Sequence, residues 1–292
     1  MVEDFVTYLR YEKHRSEKTV EAYHDDLRAF EVFFKQLDGG LSWKSVDADV
    51  IREWIGSMMD RGNAVTSVKR RLSAVRSLYR FALSRGLVEA NPAMRVVMPK
   101  SGRPLPLFVR ESEMNKLLDD VEWGDAYNDV LARTIFILLY DTGIRLAELI
   151  GLDDNDVDLS LRQLRVTGKG NKQRIVPFGE ELRLQIEVYI EKRDAEVARV
   201  DDALLCSSRG NRVSRSLVYM LVKRNLAEVT TLKKRSPHVL RHSFATAMLN
   251  NEAGIESIQK LLGHERVATT EMYTHTTFEQ LKKTYDKAHP RA

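Results

Sequence analysis

Residues 91 to 106 constrain this chain most, because they hold four of its seven prolines: Pro92, Pro99, Pro104 and Pro106. Proline removes a backbone donor and pushes the residue before it out of the helical region. An extended segment is therefore expected there, with regular structure only on either side. At 292 residues the chain is also longer than one typical domain. The expected division is a domain over 1–98, a linker over 99–110 and a second domain over 111–292. The linker region is basic, with Arg95, Lys100, Arg103 and Arg110. Such a tether suits a polyanion, and it suits solvent equally well.

Before the prolines the apolar residues step by three or four, which is the helical period. Phe5, Tyr8, Leu9 and Tyr11 mark a short amphipathic helix. Ser16 stands where a cap starts the next one, whose apolar side is Val20, Tyr23, Leu27, Phe30 and Phe34. Val50 to Met59 reads as a third helix and Thr66 to Arg85 as a fourth, stopped by Gly86. The fourth has Val68, Leu72, Val75, Tyr79 and Ala82 on one side and Lys69, Ser73, Arg76 and Arg80 on another. A basic stripe by itself reads first as a solvated face. It is also what contact with DNA phosphates requires, so Lys69, Arg76 and Arg80 are candidate DNA contacts.

After the prolines, Glu111 to Asp120 reads as a helix and Leu131 to Tyr140 as a buried one, broken at Asp141-Thr142-Gly143. Leu164 to Thr167 and Gln173 to Phe178 read as two strands around Gly168-Lys169-Gly170-Asn171-Lys172, a glycine-rich hairpin. Glu180 to Arg193 is helical, Ala203 to Ser207 is a candidate third strand, and Ser214 caps a helix running to about Val229. Ser236 and Pro237 have the residue types of a helix start. Ile255 to Leu262 follows, stopped by Gly263. Phe278 to His289 is a last amphipathic helix with Leu281, Tyr285 and Ala288 on its apolar side. The fold class is mainly α: a helical N-terminal domain, then a mixed α/β domain that is mostly helical with a small antiparallel sheet.

Composition narrows the function. The only cysteine, Cys206, forbids an intrachain disulfide and suits a reducing, cytoplasmic setting. It lies in the apolar run Ala203-Leu204-Leu205-Cys206, a buried position and not that of a reactive thiol. The acidic, mixed N-terminus does not read as a signal peptide, and no apolar run approaches membrane-spanning length. Net charge is only +4 at a pI of about 9.0, so a nucleic-acid surface has to come from local clustering. The strongest cluster is 209–241, where Arg209, Arg212, Arg215, Lys223, Arg224, Lys233, Lys234 and Arg235 face one acid, Glu228. Arg212, Arg215 and Lys234 join the candidate DNA contacts, with Arg103 from the linker and Lys172 from the hairpin.

The chemistry concentrates in Ser236 to Tyr273. His238 and Arg241, three residues apart, share one helix face. His264 follows the Gly263 stop, and Tyr273 sits among Thr269, Thr270, Glu271, Thr274 and His275, surroundings too polar for a buried phenol. Upstream, Arg145 stands among apolar residues just after Gly143. It is either a structural ion pair with Glu148 or Asp153, or a guanidinium clamp on a phosphate. Lys169 at the hairpin tip is either solvated or a general acid, with Lys172 as its competitor. Cations that balance non-bridging oxygens, and a hydroxyl able to attack phosphorus, suit a phosphodiester. No Cys pair or HExxH spacing accompanies the histidines, so no metal or other cofactor is expected.

The ordered blocks T-G-I-R-L-A-E-L, G-K-G-N-K, H-V-L-R-H-S-F-A-T, L-G-H and Y-T-H resemble the tyrosine recombinase (phage-integrase-like) family, in the style of Xer-type site-specific recombinases. The likeness covers nearly the whole chain, including the helical first domain, which corresponds to the family's SAM-like, core-binding unit. It implies that Arg145 and Arg241 bind the scissile phosphate and that Lys169 protonates the leaving 5′-oxygen. It implies that His238 and His264 position the phosphate and move protons, and that Tyr273 is the nucleophile. Ala147 departs from the Ser that many relatives carry. The likeness further implies double-stranded DNA as partner and a 3′-phosphotyrosyl intermediate. Strand exchange through a four-way junction would follow, in a homotetramer that passes its C-terminal helix between subunits, with or without a second recombinase. Two other readings share parts of this pattern: relaxation of supercoils in the manner of a type IB topoisomerase, and a DNA-binding accessory protein without cleavage.

Overall fold

The structure, a computed structural model, describes residues 1–98, 107–263 and 275–292; the side chains at 169 and 275–279 lie outside that description. The chain divides into two compact units, Met1–Pro104 and Leu105–Ala292.

The first unit is all helical. Helix α1 (Val2–Thr7) widens into a π turn over Tyr8–Glu12 and is followed by α2 (Glu17–Leu37), α3 (Ala48–Asp60), α4 (Val65–Ser84) and a 3-10 turn at Pro92–Arg95. Its core is aromatic: Phe30 packs on Trp54 at 4.6 Å and Phe34 on Trp43 at 5.2 Å between ring centroids. The buried Tyr79 hydroxyl donates to the Trp43 carbonyl at 3.0 Å. Asp47 caps α3, accepting from the amides of Asp49 and Val50. Ser16 does not cap the backbone of α2; its hydroxyl meets that of Thr19 at 2.9 Å. Buried Asp26 pairs with Arg70 and stands 3.6 Å from Arg71.

In the second unit, α5 (Glu111–Asn115) passes directly into a π turn at Lys116–Asp120, and the two together cover the helix expected over Glu111 to Asp120. Helix α6 (Tyr127–Thr142) forms the centre and is almost wholly buried. The short α7 (Leu146–Ile150) leads to a three-stranded antiparallel sheet of β1 (Val157–Asp158), β2 (Gln163–Thr167) and β3 (Gln173–Pro177), in that order. Then come α8 (Glu180–Glu196), α9 (Arg215–Val229), α10 (Pro237–Asn250), α11 (Ile255–Leu262) and α12 (His275–Ala288). Leu281, Tyr285 and Ala288 of α12 are buried against Phe244, Met248, Ile258, Leu261 and Leu262 of the same chain.

The expected strand at Ala203–Ser207 is not one; the third strand is Val157–Asp158, and the 203–207 stretch makes only isolated bridges, Asp153 to Ala203 and Cys206 to Arg212. Single backbone bonds to Leu152, Asn211 and Val213, together with side chains, serve its backbone instead. The buried guanidinium of Arg193 donates to the Leu204 carbonyl at 2.8 Å, and the Cys206 amide donates to the Tyr189 hydroxyl at 2.9 Å. Pro237 does open α10, but the buried Ser236 hydroxyl has no hydrogen-bond partner among the described residues and so supplies no cap.

Candidate active site

The site is assembled around two helix stops. Helix α6 ends at Gly143, whose φ is +60° and where a Cβ would stand 2.4 Å from the Phe244 ring. Only glycine meets both demands, the left-handed backbone and the close approach of α10. That turn delivers Arg145 to the start of α7. The Arg145 amide donates to Glu148 Oε2 at 2.8 Å, as an acid in the first turn does for an unpaired helix-start amide. The second stop is Gly263, φ +66°, at the end of α11.

Arg145 and Arg241 meet at this second stop. Arg145 Nη2 donates to the Gly263 carbonyl at 2.9 Å, and Arg241 Nη2 donates to the Leu262 carbonyl at 2.7 Å. Arg241 Nη1 also donates to the Gly143 carbonyl at 2.5 Å, so α10 ties the two stops together. Burial, then the like charge of Arg145, pushes the Arg241 guanidinium down to about 10. Two cations held this close, each with N–H donors left over among the described residues, form a ready receptor for an anion with paired oxygens. Of the two readings of Arg145, the ion pair is present: Nη1 pairs with Glu148 at 2.8 Å, and the side chain stays 38% exposed.

Glu148 is the residue that sequence reasoning undervalued. Its side chain is only 3% exposed, and it accepts from Arg145 and also from Arg174, at 3.0 and 2.8 Å. Arg174, on the inward face of β3, also donates through Nε to the Leu261 carbonyl at 2.9 Å. Burial alone would raise the Glu148 carboxyl; the hydrogen bonds and charge of Arg174, then those of Arg145, reverse this and hold it at about 2.

His238 lies one turn before Arg241 on α10, exposed at its outer side. Partial desolvation, then the charges of Lys234, His242, Arg241 and Arg215, depress its pKa and favour the neutral imidazole. The backbone of Lys169 lies in a 3-10 turn, Lys169–Asn171, between β2 and β3. Gly168, just before it, packs beside Glu148: a Cβ there would stand 3.4 Å from Oε1. His264 and Tyr273, and Arg103 of the linker, fall outside the described residues.

The candidate DNA contacts divide. Arg80, Lys172, Arg215 and Lys234 are exposed, and Lys69 is half-buried. Arg76 commits Nε to the Ala93 carbonyl at 3.0 Å and Nη2 to that of Val96 at 2.6 Å. Arg212 donates to the carbonyls of Ile150 and Leu152 at 2.9 and 3.0 Å and pairs with Asp153 at 2.6 Å. These two guanidiniums thus serve to join segments of their own units, which their local sequence gave no sign of. Among the described residues, no cluster of His, Cys, Asp and Glu has the makings of a metal site.

The family model described as "Phage integrase family" matches residues 108–280, and that described as "Phage integrase, N-terminal SAM-like domain" matches residues 2–86. The chain belongs to the phage integrase family. It is 39% identical to a tyrosine recombinase XerC of Mycobacterium sp. (strain KMS), over 100% of this chain and 99% of the relative. It is 36% identical to the XerC of Chlorobaculum tepidum, over 99% and 94%. Among solved structures, a XerH site-specific recombinase bound to a palindromic difH substrate shares the fold, with a TM-score of 0.72, 22% identity and coverage of 97% and 82%. This integrase-family chain is thus a tyrosine site-specific recombinase, with a helical SAM-like unit and a catalytic unit that carries the small antiparallel sheet.

Proposed function

We propose that this recombinase cuts and rejoins double-stranded DNA through a 3′-phosphotyrosyl link made by Tyr273. The phenolic oxygen attacks the scissile phosphorus, the bond from phosphorus to the 5′-oxygen breaks, and Lys169 supplies the proton that leaves with that oxygen. The 5′-hydroxyl of a partner duplex reverses the step. Energy of the ester bond is conserved, so no nucleotide is needed. Arg145 and Arg241 bind the non-bridging oxygens and balance the charge of the five-coordinate state. His238, favoured neutral, and His264 position the phosphate and carry protons. Two rounds of exchange pass through a four-way junction in a homotetramer that shares its C-terminal helices. The 1–98 domain grips the duplex and the 99–110 linker follows its backbone, with Arg80, Arg215 and Lys234 at phosphates. The setting is cytoplasmic.

One observation supports the reading above all: two guanidiniums, brought from α7 and α10, donate to adjacent carbonyls at 262 and 263, immediately before His264. The test is Tyr273→Phe on a nicked duplex carrying the site that the full chain selects from a random pool. Wild type is expected to leave a covalent protein–DNA adduct and the variant none, while both bind the duplex equally. An adduct formed by the variant would move the nucleophile elsewhere.

A further inference from the structure

We propose that Arg174, on β3, is a positioning residue for strand cleavage: it holds the Glu148 carboxylate and the Leu261–Gly263 turn where they aim Arg145 and Arg241 at the scissile phosphate. This role rests on the reading of the site as a strand-cleaving centre.

The first sign is the place of Arg174 in its strand. Alternation turns Arg174 and Val176 inward, opposite Val166 and Leu164 of β2. An apolar side chain is the ordinary occupant of such a position. A guanidinium 7% exposed is costly there unless its donors are satisfied. Its three recorded donors all go to parts of the site: two to Glu148, which itself takes Arg145, and one to Leu261 O, in the last turn of α11.

The second sign is steric. A Cβ on Gly263 would meet the Arg174 guanidinium at 3.0 to 3.2 Å. A Cβ on Gly168 would approach Glu148 Oε1 at 3.4 Å and Arg174 Nη1 at 3.8 Å. The glycines flanking the two downstream catalytic positions, 169 and 264, thus pack against one buried ion pair.

A lysine would not do the same. Only a planar fork spans both carboxylate oxygens while its Nε–H reaches a separate carbonyl; an ammonium is a point charge on a flexible stem. With the fork gone, Glu148 has lost its bidentate partner and draws Arg145 toward itself, away from the phosphate. The turn at 261–263 then loses the contact that fixes its last carbonyls.

The experiment compares wild type with Arg174→Lys, which keeps a positive charge beside Glu148. Single-turnover cleavage is measured on the selected nicked duplex, and again with a methylphosphonate at the scissile position. Loss of a residue that orients a catalytic group typically costs about 10- to 100-fold in activity. That loss is expected on the natural phosphate at a temperature where the variant is fully folded, with duplex affinity unchanged. On the neutral methylphosphonate there is one charge fewer for Arg145 and Arg241 to balance, so the gap between wild type and variant should shrink. Wild-type cleavage by Arg174→Lys, or an identical deficit on both substrates, would overturn the role. If the lysine variant fails to fold, Arg174→Gln, which leaves the Glu148 pair with Arg145 in place, is carried through the same two substrates, with the same outcomes deciding. No adduct from wild type on the natural phosphate would sink the strand-cleavage reading, and this role with it. Wild-type cleavage with an unaffected variant would remove Arg174 alone.

Discussion

Glu148 is a carboxylate that the two arginines Arg145 and Arg174 share, and its ionisation links fold to chemistry. Its pKa of about 2 lies below the ordinary value of 4.5. A carboxyl depressed on folding adds stability that is fully present above its unfolded pKa and lost as pH falls toward the folded one. The window here is pH 4.5 down to 2. Glu148→Gln keeps the shape and deletes the charge, leaving two guanidiniums without their anion. Breaking a buried pair in this way costs about 3–5 kcal/mol. The variant should melt well below wild type at pH 7, and the gap should close as both are taken through the acid window. Thermal melts at a series of pH values check this. A gap that stays constant with pH would mean that Glu148 acts through shape and not through charge.

At the level of elements, the site depends on helices that stop in the right place. Gly143→Ala is expected to cost more than an ordinary surface change. The left-handed backbone is worth roughly 1–2 kcal/mol against a Cβ, and the new methyl would lie 2.4 Å from the Phe244 ring. Urea unfolding should show the loss, with slowed cleavage where the protein remains folded; a variant as stable as wild type would mean that α10 shifts freely. Such stops were legible in the sequence because glycine and helical period are local signals. T-G before Arg145, L-G before His264, the hairpin and the run of helices could all be read directly. The buried charges could not. Arg174 meets Glu148 across 26 residues and Leu261 across 87, and no local pattern encodes either pairing. The only hint was an arginine at an inward strand position. The same blindness made Arg212 look unpaired inside a basic run, although Asp153 and Asp201 arrive from elsewhere in the fold. The strand expected at 203–207 failed likewise: its backbone bonds scatter to Leu152, Asn211 and Val213 and to the side chains of Tyr127, Tyr189 and Arg193, so no single neighbouring strand pairs with it.

On the scale of the whole chain, the C-terminal helix is the element whose attachment matters most, since the proposed tetramer passes it between subunits while the structure folds it back on its own unit. Its end is pinned by His289, which is buried and stacks on Tyr285 at 5.0 Å, with Tyr140 and Phe244 rings each at 5.5 Å. Nδ1 accepts from the Arg291 amide at 3.2 Å, so Nε2 carries the proton and faces the Tyr140 carbonyl at 3.3 Å. A second proton would displace the Arg291 contact. Burial, with help from the nearby Arg291 charge and against the pull of the Tyr140 carbonyl, drops the imidazole to about 3. The other titratable groups around this joint are Asp141, whose carboxyl burial raises well above its usual range, and Asp119 and Glu181, both paired with Arg291. A histidine depressed on folding stabilises above its unfolded pKa of 6.5, and that stability is lost as pH falls below it. Docking of α12 should therefore loosen between pH 6.5 and 3. By linkage, opening at pH 5 should be about tenfold or more favoured over pH 8. Hydrogen exchange at the amides of Tyr285 to Arg291, corrected for intrinsic rates, measures it directly. His289→Gln is neutral throughout and should abolish the pH dependence, though not the docking. If the wild-type amides are equally protected at pH 5 and pH 8, the helix is held by its apolar face alone and His289 has no part in its release.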